Sequence, residues 1–397
     1  MNVYVRELAR ELGQSGFEVD VFTRSQDPSI PRVVPLGEGS RVVHLAAGPT
    51  RPLARAAQVQ YLGAFADGVE AFRRGAGAEY ALVHSHYWLS GLVGLDLARR
   101  WRRPFVHMFH TLGAIKNGVA RGSGDVEPPE RLLAETRVAA GADRIVASNP
   151  VERADLAWHV KADPARVAII PCGVDTELFR PGDPRLARAR LGIAGERVLL
   201  FVGRLTPIKG LETLLRALAV LATEAPTDRP VRLVVVGGER GDTGDAGDFR
   251  RLTRELGVEG RVDFRGPQPQ DVLPDYYRAA DLCLMPSRYE SFGMVALEAM
   301  ACGVPVVASR VGGLAVTVQD GVTGLLVPEG DPGALVGAVR RLLGDEPTRH
   351  TLGAEAVEWV RRFGWPCIAR QVTELYGELV PALRGAARLF ERCQSIF

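Results

Sequence analysis

The sequence predicts an α/β protein of two doubly wound halves, each a parallel sheet with helices on both faces. Short apolar runs, such as residues 198–202 and 233–236, alternate with segments of helical periodicity, such as Leu211, Leu214, Leu215 and Leu218. Strands alternating with helices are the mark of parallel α/β sheets. The alternation occurs twice, on either side of a Pro- and Gly-rich stretch at 171–182. The 397 residues also fit two or three domains at ~100–200 residues each.

At the amino terminus Val5, Leu8, Ala9 and Leu12 recur at helical spacing, so a helix begins almost at Met1, with Gly13 and Gly16 expected to end it. Phe17, Val19 and Val21 then alternate as a strand. Strands near 81–85, 105–109 and 144–148, with helices from Leu89 and Glu130, continue the first half. Strands near 198–202, 233–236, 262–264, 282–285, 305–308 and 324–327 make the second. This places an amino-terminal domain at 1–170, a linker at 171–182, a second domain at 183–362 and a tail at 363–397. In the tail, Phe363, Trp365, Ile368, Val372 and Tyr376 form one apolar helical face, expected to pack back on the first half. Residues 239–248 are Gly- and Asp-rich and read as a surface loop, because their spacing misses the EF-hand calcium pattern.

Composition excludes several classes of function. With 49 basic and 47 acidic residues the net charge is +2, which calls for neither nucleic acid nor a strongly anionic partner. The five cysteines are scattered, with no Cys-x-x-Cys pair, so neither a disulfide framework nor a zinc site is expected and a cytoplasmic setting fits. No apolar run approaches the ~20 residues of a membrane span. Beyond Leu383, Arg384, Arg388 and Arg392 with Leu389 and Phe390 are weighed as a peripheral membrane contact against a solvated end, which is the expectation. Oligomeric state leaves no mark in the sequence.

Three groups of residues carry chemistry. Gly203-Arg204-Leu205-Thr206-Pro207-Ile208-Lys209-Gly210 joins a strand to a helix. Its two cations and the amides of a helix start suit a phosphate or diphosphate; two solvated charges are the plainer alternative. In residues 287–298, Glu290 and Glu298 stand eight apart across a strand-to-helix turn, with Ser291 as the expected helix cap and Gly293 allowing close backbone approach to a ligand. Carboxylates of this kind accept hydrogen bonds from sugar hydroxyls. Phe292, Val295, Leu297 and Met300 leave little other polar surface there, which weakens the alternative of two exposed charges. His110 closes a strand in the first half; His84, His86 and Tyr87 close another. No metal site is expected of them, because no third-ligand spacing is present. No Gly-x-Gly-x-x-Gly follows any strand, which disfavours a dinucleotide oxidoreductase.

Together these residues resemble glycosyltransferase family four, the "group 1" retaining transferases with the two-domain GT-B fold. The match lies in Glu290 and Glu298, in Arg204 and Lys209, in His110 and in the linker through Phe179. The resemblance implies two Rossmann-like domains facing a cleft and transfer of a hexose from a nucleotide-diphosphate sugar, a UDP-sugar being the expected donor. No cofactor is implied beyond that co-substrate, and nothing indicates Mg2+. Arg204 and Lys209 would hold the donor diphosphate and Glu298 the ribose hydroxyls. Glu290 would meet the transferred sugar, His110 would stand beside the reacting centre, and Ser291, Phe292, Gly293, Met294 and Val295 would complete the donor wall. Within the family, Met1-Asn2-Val3-Tyr4-Val5, His84 to Gly91 and His110-Thr111-Leu112 look most like the inositol-phosphate N-acetylglucosaminyltransferases of mycothiol synthesis and the bacterial sucrose-phosphate synthases. That implies a small phosphorylated acceptor held by Asn2, Arg55, Tyr87, Thr111 and Arg131. Position 55 is Lys in those relatives, and Gln268 replaces a basic residue. Family members also open with a strand and a Gly-Gly loop just before the segment matching Met1-Asn2. Neither is seen here, so the first strand of the amino-terminal domain is expected to be absent. The alternatives weighed are a nucleotide-sugar epimerase of the same fold and an inactive sugar-nucleotide-binding relative.

Overall fold

The computed structural model describes residues 1–120, 126–223, 229–238 and 244–383. Contacts divide them into two units, one of residues 1–118, 126–173 and 365–383, the other of 119–120 and 174–364 less the gaps just given.

In the first unit the opening helix, Asn2–Gln14, buries Tyr4, Leu8, Ala9 and Leu12 on one face. It continues through Gly13 and stops at Ser15, one residue short of Gly16. Strands β1 (Val19–Arg24), β2 (Val33–Gly37) and β3 (Ser40–Leu45) form a sheet in the order β1-β3-β2. β1 and β3 are parallel, while β2 and β3 form a hairpin. The sequence pattern passed over β2 and β3: β2 alternates exposed and half-buried residues and is interrupted by Pro35. A second sheet holds β4 (Val83–His86), β5 (Phe105–Met108), β6 (Arg144–Ala147) and β7 (Val167–Ile169), all parallel and in that order.

The strands of this unit therefore lie in two sheets, and β1 and β4 are each an edge strand of their sheet. Among the described residues no strand lies between them. A cavity of about 560 Å³ lies there instead, lined by Leu8 and Leu12 of the opening helix, Val19 and Val21 of β1, Val83 of β4 and Leu97 of the helix Trp88–Trp101. The late helix Trp365–Leu379 belongs to this unit and packs against Asn2–Gln14. Phe363 belongs to the other unit, in the short turn Arg361–Phe363, so the expected apolar face of the tail is shared out between two units.

The second unit is one six-stranded parallel sheet of β8 (Arg197–Val202), β9 (Val231–Val236), β10 (Val262–Gly266), β11 (Leu282–Met285), β12 (Val306–Ser309) and β13 (Gly324–Val327). Its order is β10-β9-β8-β11-β12-β13. The chain winds outward from β8 through β9 to β10, then crosses back and winds the other way from β11. Leu199, Phe201, Leu214, Leu218, Leu233, Leu282 and Leu284 fill its core. Residues 244–248, expected in a loop, instead begin the helix Gly244–Glu255, while 239–243 lie outside the described residues, as does the tail from Arg384. Cys172, Cys283 and Cys302 are buried and take part in no disulfide. Among the described residues no helix is long and apolar enough to cross a membrane.

One glycine secures the crossover. Gly210 has φ +69°, and a Cβ there would stand 1.8 Å from the Pro286 carbonyl oxygen. Gly210→Ala is therefore expected to lower stability by more than about 2 kcal/mol, because both the left-handed backbone and the backbone contact oppose a side chain. Urea unfolding measures this, and an unshifted midpoint would contradict it.

Candidate active site

In a doubly wound sheet the loops that leave the two strands at the reversal point diverge and open a crevice at their carboxyl ends. Here those strands are β8 and β11. The loop after β8 carries Arg204 and Lys209, and the loop after β11 carries Glu290 through Gly293. The loops are tied to each other: the Arg288 N–H donates to the Ile208 carbonyl at 2.8 Å. The Lys209 ammonium donates to the Glu290 carboxylate, and both side chains are largely covered. Arg204 is exposed and has no carboxylate within ion-pair distance among the described residues. The Glu290 loop rests on Gly312 and Gly313. The Gly313 N–H donates to the Glu290 carbonyl at 2.8 Å, and a Cβ on Gly312 would meet that oxygen at 2.4 Å. No motif in the sequence linked Gly312 to this loop.

The helix after this loop, Met294–Ala301, is capped by Gly293 at φ +96°, not by Ser291 as expected. No side chain caps it. Its first-turn amides, around the half-exposed Met294 and Val295, lack intrahelical acceptors and can receive an anion. Phe292 is buried, and the Thr317 hydroxyl donates to its carbonyl at 2.7 Å. Glu298 lies one turn on and is only 8% exposed, which removes the alternative of an exposed surface charge. The Tyr277 hydroxyl donates to Glu298 Oε2 at 2.6 Å, while Oε1 accepts from no described residue. Burial pushes the Glu298 carboxyl up to about 7, with the Tyr277 bond opposing. Tyr277 comes from the separate helix Leu273–Ala279, and the sequence gave no hint of it.

In the first unit, Tyr87 (φ 76°) and His110 (φ 62°) both hold left-handed backbone, a strain uncommon outside glycine. The strain turns these residues off the ends of β4 and β5. His110 Nε2 lies 3.1 Å from His86 Nδ1. His84 Nδ1 meets the Tyr376 hydroxyl at 2.7 Å, and His107 Nδ1 meets the Ser85 hydroxyl at 2.7 Å. Burial lowers all four imidazoles, His84 and His107 to about 3 and His86 and His110 well below the usual value, so all are neutral near pH 7. Among the described residues no three metal-ligating side chains converge.

A second cluster surrounds Arg131, which is fully buried. Its Nε donates to Glu135 at 2.7 Å, Nη2 to the Thr111 carbonyl and hydroxyl at 2.9 and 3.2 Å, and Nη1 to the Tyr87 hydroxyl at 3.2 Å. Nη1 also pairs with Glu127 at 2.9 Å, and the Lys116 ammonium meets the same carboxylate oxygen. Arg55 lies with its guanidinium carbon 5.8 Å from the Tyr87 ring centre. Tyr87, Thr111, Arg131 and Arg55 are thus brought together. Asn2 stands apart from them, at the exposed first position of the opening helix and on the rim of the cavity between the sheets. Lys116, Glu127 and Glu135 were not singled out in the sequence, since charged residues on a helix flank are usually solvated.

Two family models match the chain: Glycosyltransferase Family 4 over residues 1–178 and Glycosyl transferases group 1 over residues 185–359. The chain is 42% identical over 384 residues to the D-inositol 3-phosphate glycosyltransferase of Corynebacterium glutamicum (strain R), covering 96% of this chain and 92% of that one. The fold matches sucrose-phosphate synthase from Thermosynechococcus elongatus with a TM-score of 0.88 at 38% identity, over 96% of this chain and 94% of that one. It matches Anabaena Alr3699/HepE in complex with UDP-glucose with a TM-score of 0.71 at 25% identity, over 85% and 86%.

The raised Glu298 carboxyl has a consequence for stability. Its folded pKa of about 7 lies above the ordinary 4.5, so the folded state binds the extra proton between those values. Stability is then lost as pH rises through that window, by up to about 3 kcal/mol from this group. Glu298→Gln is expected to be more stable than the parent at pH 8, with the difference closing by pH 5. Denaturant unfolding at the two pH values measures it, and a pH-independent difference would contradict the assignment.

Proposed function

Because the chain belongs to glycosyltransferase family 4 and the group 1 glycosyl transferases, and so is a glycosyltransferase with the GT-B fold, we propose that it moves a hexose from a UDP-sugar to a small phosphorylated acceptor with retention of configuration. The observation that carries this reading is the pairing of Lys209 with Glu290 at the reversal of the second sheet, with Arg204 beside it and a helix start opposite.

On this reading residues 183–362 bind the donor and residues 1–170 the acceptor, with 171–182 as linker. Arg204, Lys209 and the amides at Met294 and Val295 receive the diphosphate, and Ser291, Phe292 and Gly293 form the wall behind it. Glu298 Oε1 accepts from the ribose hydroxyls while Tyr277 keeps the carboxylate in place, and Glu290 orients the transferred sugar. The bond from the anomeric carbon to the diphosphate oxygen breaks, and a bond to the acceptor oxygen forms on the same face. The acceptor's proton passes to the departing diphosphate. Cations already fixed where that negative charge grows stabilise the transition state more than the ground state. A neutral His110 beside the reacting centre adds no competing positive charge.

The acceptor side draws on Arg55, Tyr87, Thr111 and Arg131, with Asn2 contributing from the opening helix. The relatives named for inositol 3-phosphate and sucrose-phosphate chemistry support a phosphorylated acceptor of that size.

Lys209→Ala is expected to cut kcat by roughly 10²–10³, the range for losing one group that stabilises a developing anion. Release of UDP from UDP-sugars, with inositol phosphate and fructose 6-phosphate as acceptors, reads this; near-normal turnover removes Lys209 from the diphosphate. Release of UDP only when an acceptor is present would exclude an epimerase of the same fold. Glu298→Ala is expected to weaken donor binding by roughly 1.5–3 kcal/mol, measured by calorimetry. Unchanged donor affinity would remove Glu298 from the ribose.

A further inference from the structure

We propose that the Glu127 carboxylate holds the place of the acceptor's phosphate, and that the acceptor binds by displacing it. This rests on the acceptor side of the reading above.

Arg131 needs only one carboxylate to neutralise it, and the buried Glu135 already supplies that at 2.7 Å. Glu127 is a second anion on the same guanidinium. It meets Nη1 on the side where the Tyr87 hydroxyl also bonds, and its other cation is Lys116. Its oxygen thus sits in a cradle of a guanidinium and an ammonium, with the Tyr87 and Thr111 hydroxyls on the same guanidinium, as a phosphate oxygen would. The backbone of Glu127 is held independently of its carboxylate: its N–H donates to Asn117 Oδ1 at 2.6 Å, and Asn117 Nδ2 donates to its carbonyl at 3.2 Å. The side chain can therefore swing away without undoing the chain around it.

Charge points the same way. Among the described residues of the cluster, Arg55, Lys116 and Arg131 are positive and Glu135 is negative. With Glu127 withdrawn these described side chains leave an excess of positive charge, which a phosphate monoester of about −1.5 to −2 at pH 7 can meet. With Glu127 in place that excess is smaller while the site is empty, and Glu135 pairs the guanidinium in either state. An uncharged acceptor of the same shape has no charge with which to displace Glu127. The carboxylate therefore also selects for a phosphorylated acceptor.

The experiment titrates inorganic phosphate into the wild-type chain, Glu127→Gln and Glu130→Gln by calorimetry. Glu127→Gln keeps the side-chain shape and both backbone bonds to Asn117. Glu130 is exposed on the first turn of the helix Pro129–Gly141, which follows Glu127 and carries Arg131, so its variant removes an equal charge nearby. Glu127→Gln is expected to tighten phosphate by roughly 3- to 10-fold, as when a competing ion pair is removed, and Glu130→Gln to change it by less than about twofold. Unchanged or weaker binding to Glu127→Gln overturns the displacement. So does equal tightening in Glu130→Gln, or no phosphate binding to either the wild type or Glu127→Gln. If Glu127→Gln binds phosphate more tightly yet no phosphorylated acceptor receives sugar, the acceptor reading falls and the displacement stands.

Discussion

The reversal of winding between β8 and β11 is the constraint on which the second unit depends. Parallel strands must be joined by crossovers, and a sheet wound both ways leaves one place where adjacent strands send their loops to opposite faces. Lys209 leaves one of those strands and Glu290 the other, and their ion pair spans the gap. The pair is far apart in sequence but is fixed by backbone contacts: Arg288 bonds to Ile208, Gly210 sits under Pro286, and Gly312 under Glu290. On the function proposed above, side chains held by so many backbone contacts need little rearrangement to meet a diphosphate, which is what electrostatic stabilisation of a leaving group requires.

The first unit solves a different problem. It buries a permanent cation, Arg131, and must meet the cost of removing it from water. The five bonds described above go to four residues, and of these only Glu135 lies on the arginine's own helix. The same unit buries His107, covers much of His84, His86 and His110, and keeps all four neutral. Charge is thus concentrated on one cluster, with a neutral imidazole surface next to it. Two residues between these regions, Tyr87 and His110, hold strained backbone, and strain of this kind persists where surrounding packing over-determines it.

The placement of the candidate residues on their loops was legible in the sequence because it is local. Arg204 and Lys209 lie within one loop, and Glu290 and Glu298 lie on one turn and the helix after it. The helical face of the opening segment and the apolar strands of the second unit were legible for the same reason: burial on one or both faces imposes a period on the residues. The hairpin of β2 and β3 escaped because one of its strands is mostly exposed, and Gly244–Glu255 escaped because its Gly- and Asp-rich beginning has the composition of a turn. The capping of the Glu298 helix by Gly293, in place of Ser291, was a choice between two neighbouring residues that local propensity could not make.

What the sequence determined by itself was the α/β class, the two halves and the residue types at the reversal of the second sheet, because periodicity and short motifs depend on neighbours along the chain. What only the tertiary structure decided was which groups face one another. Tyr277 reaches Glu298 from another helix, Gly312 supports the Glu290 loop from beyond β12, and Glu127 shares its oxygen between Lys116 and Arg131. The split of the first unit into two sheets, with β1 and β4 as edges, belongs with these. Contacts of this sort are set by how layers pack in three dimensions, and no spacing along the chain encodes them.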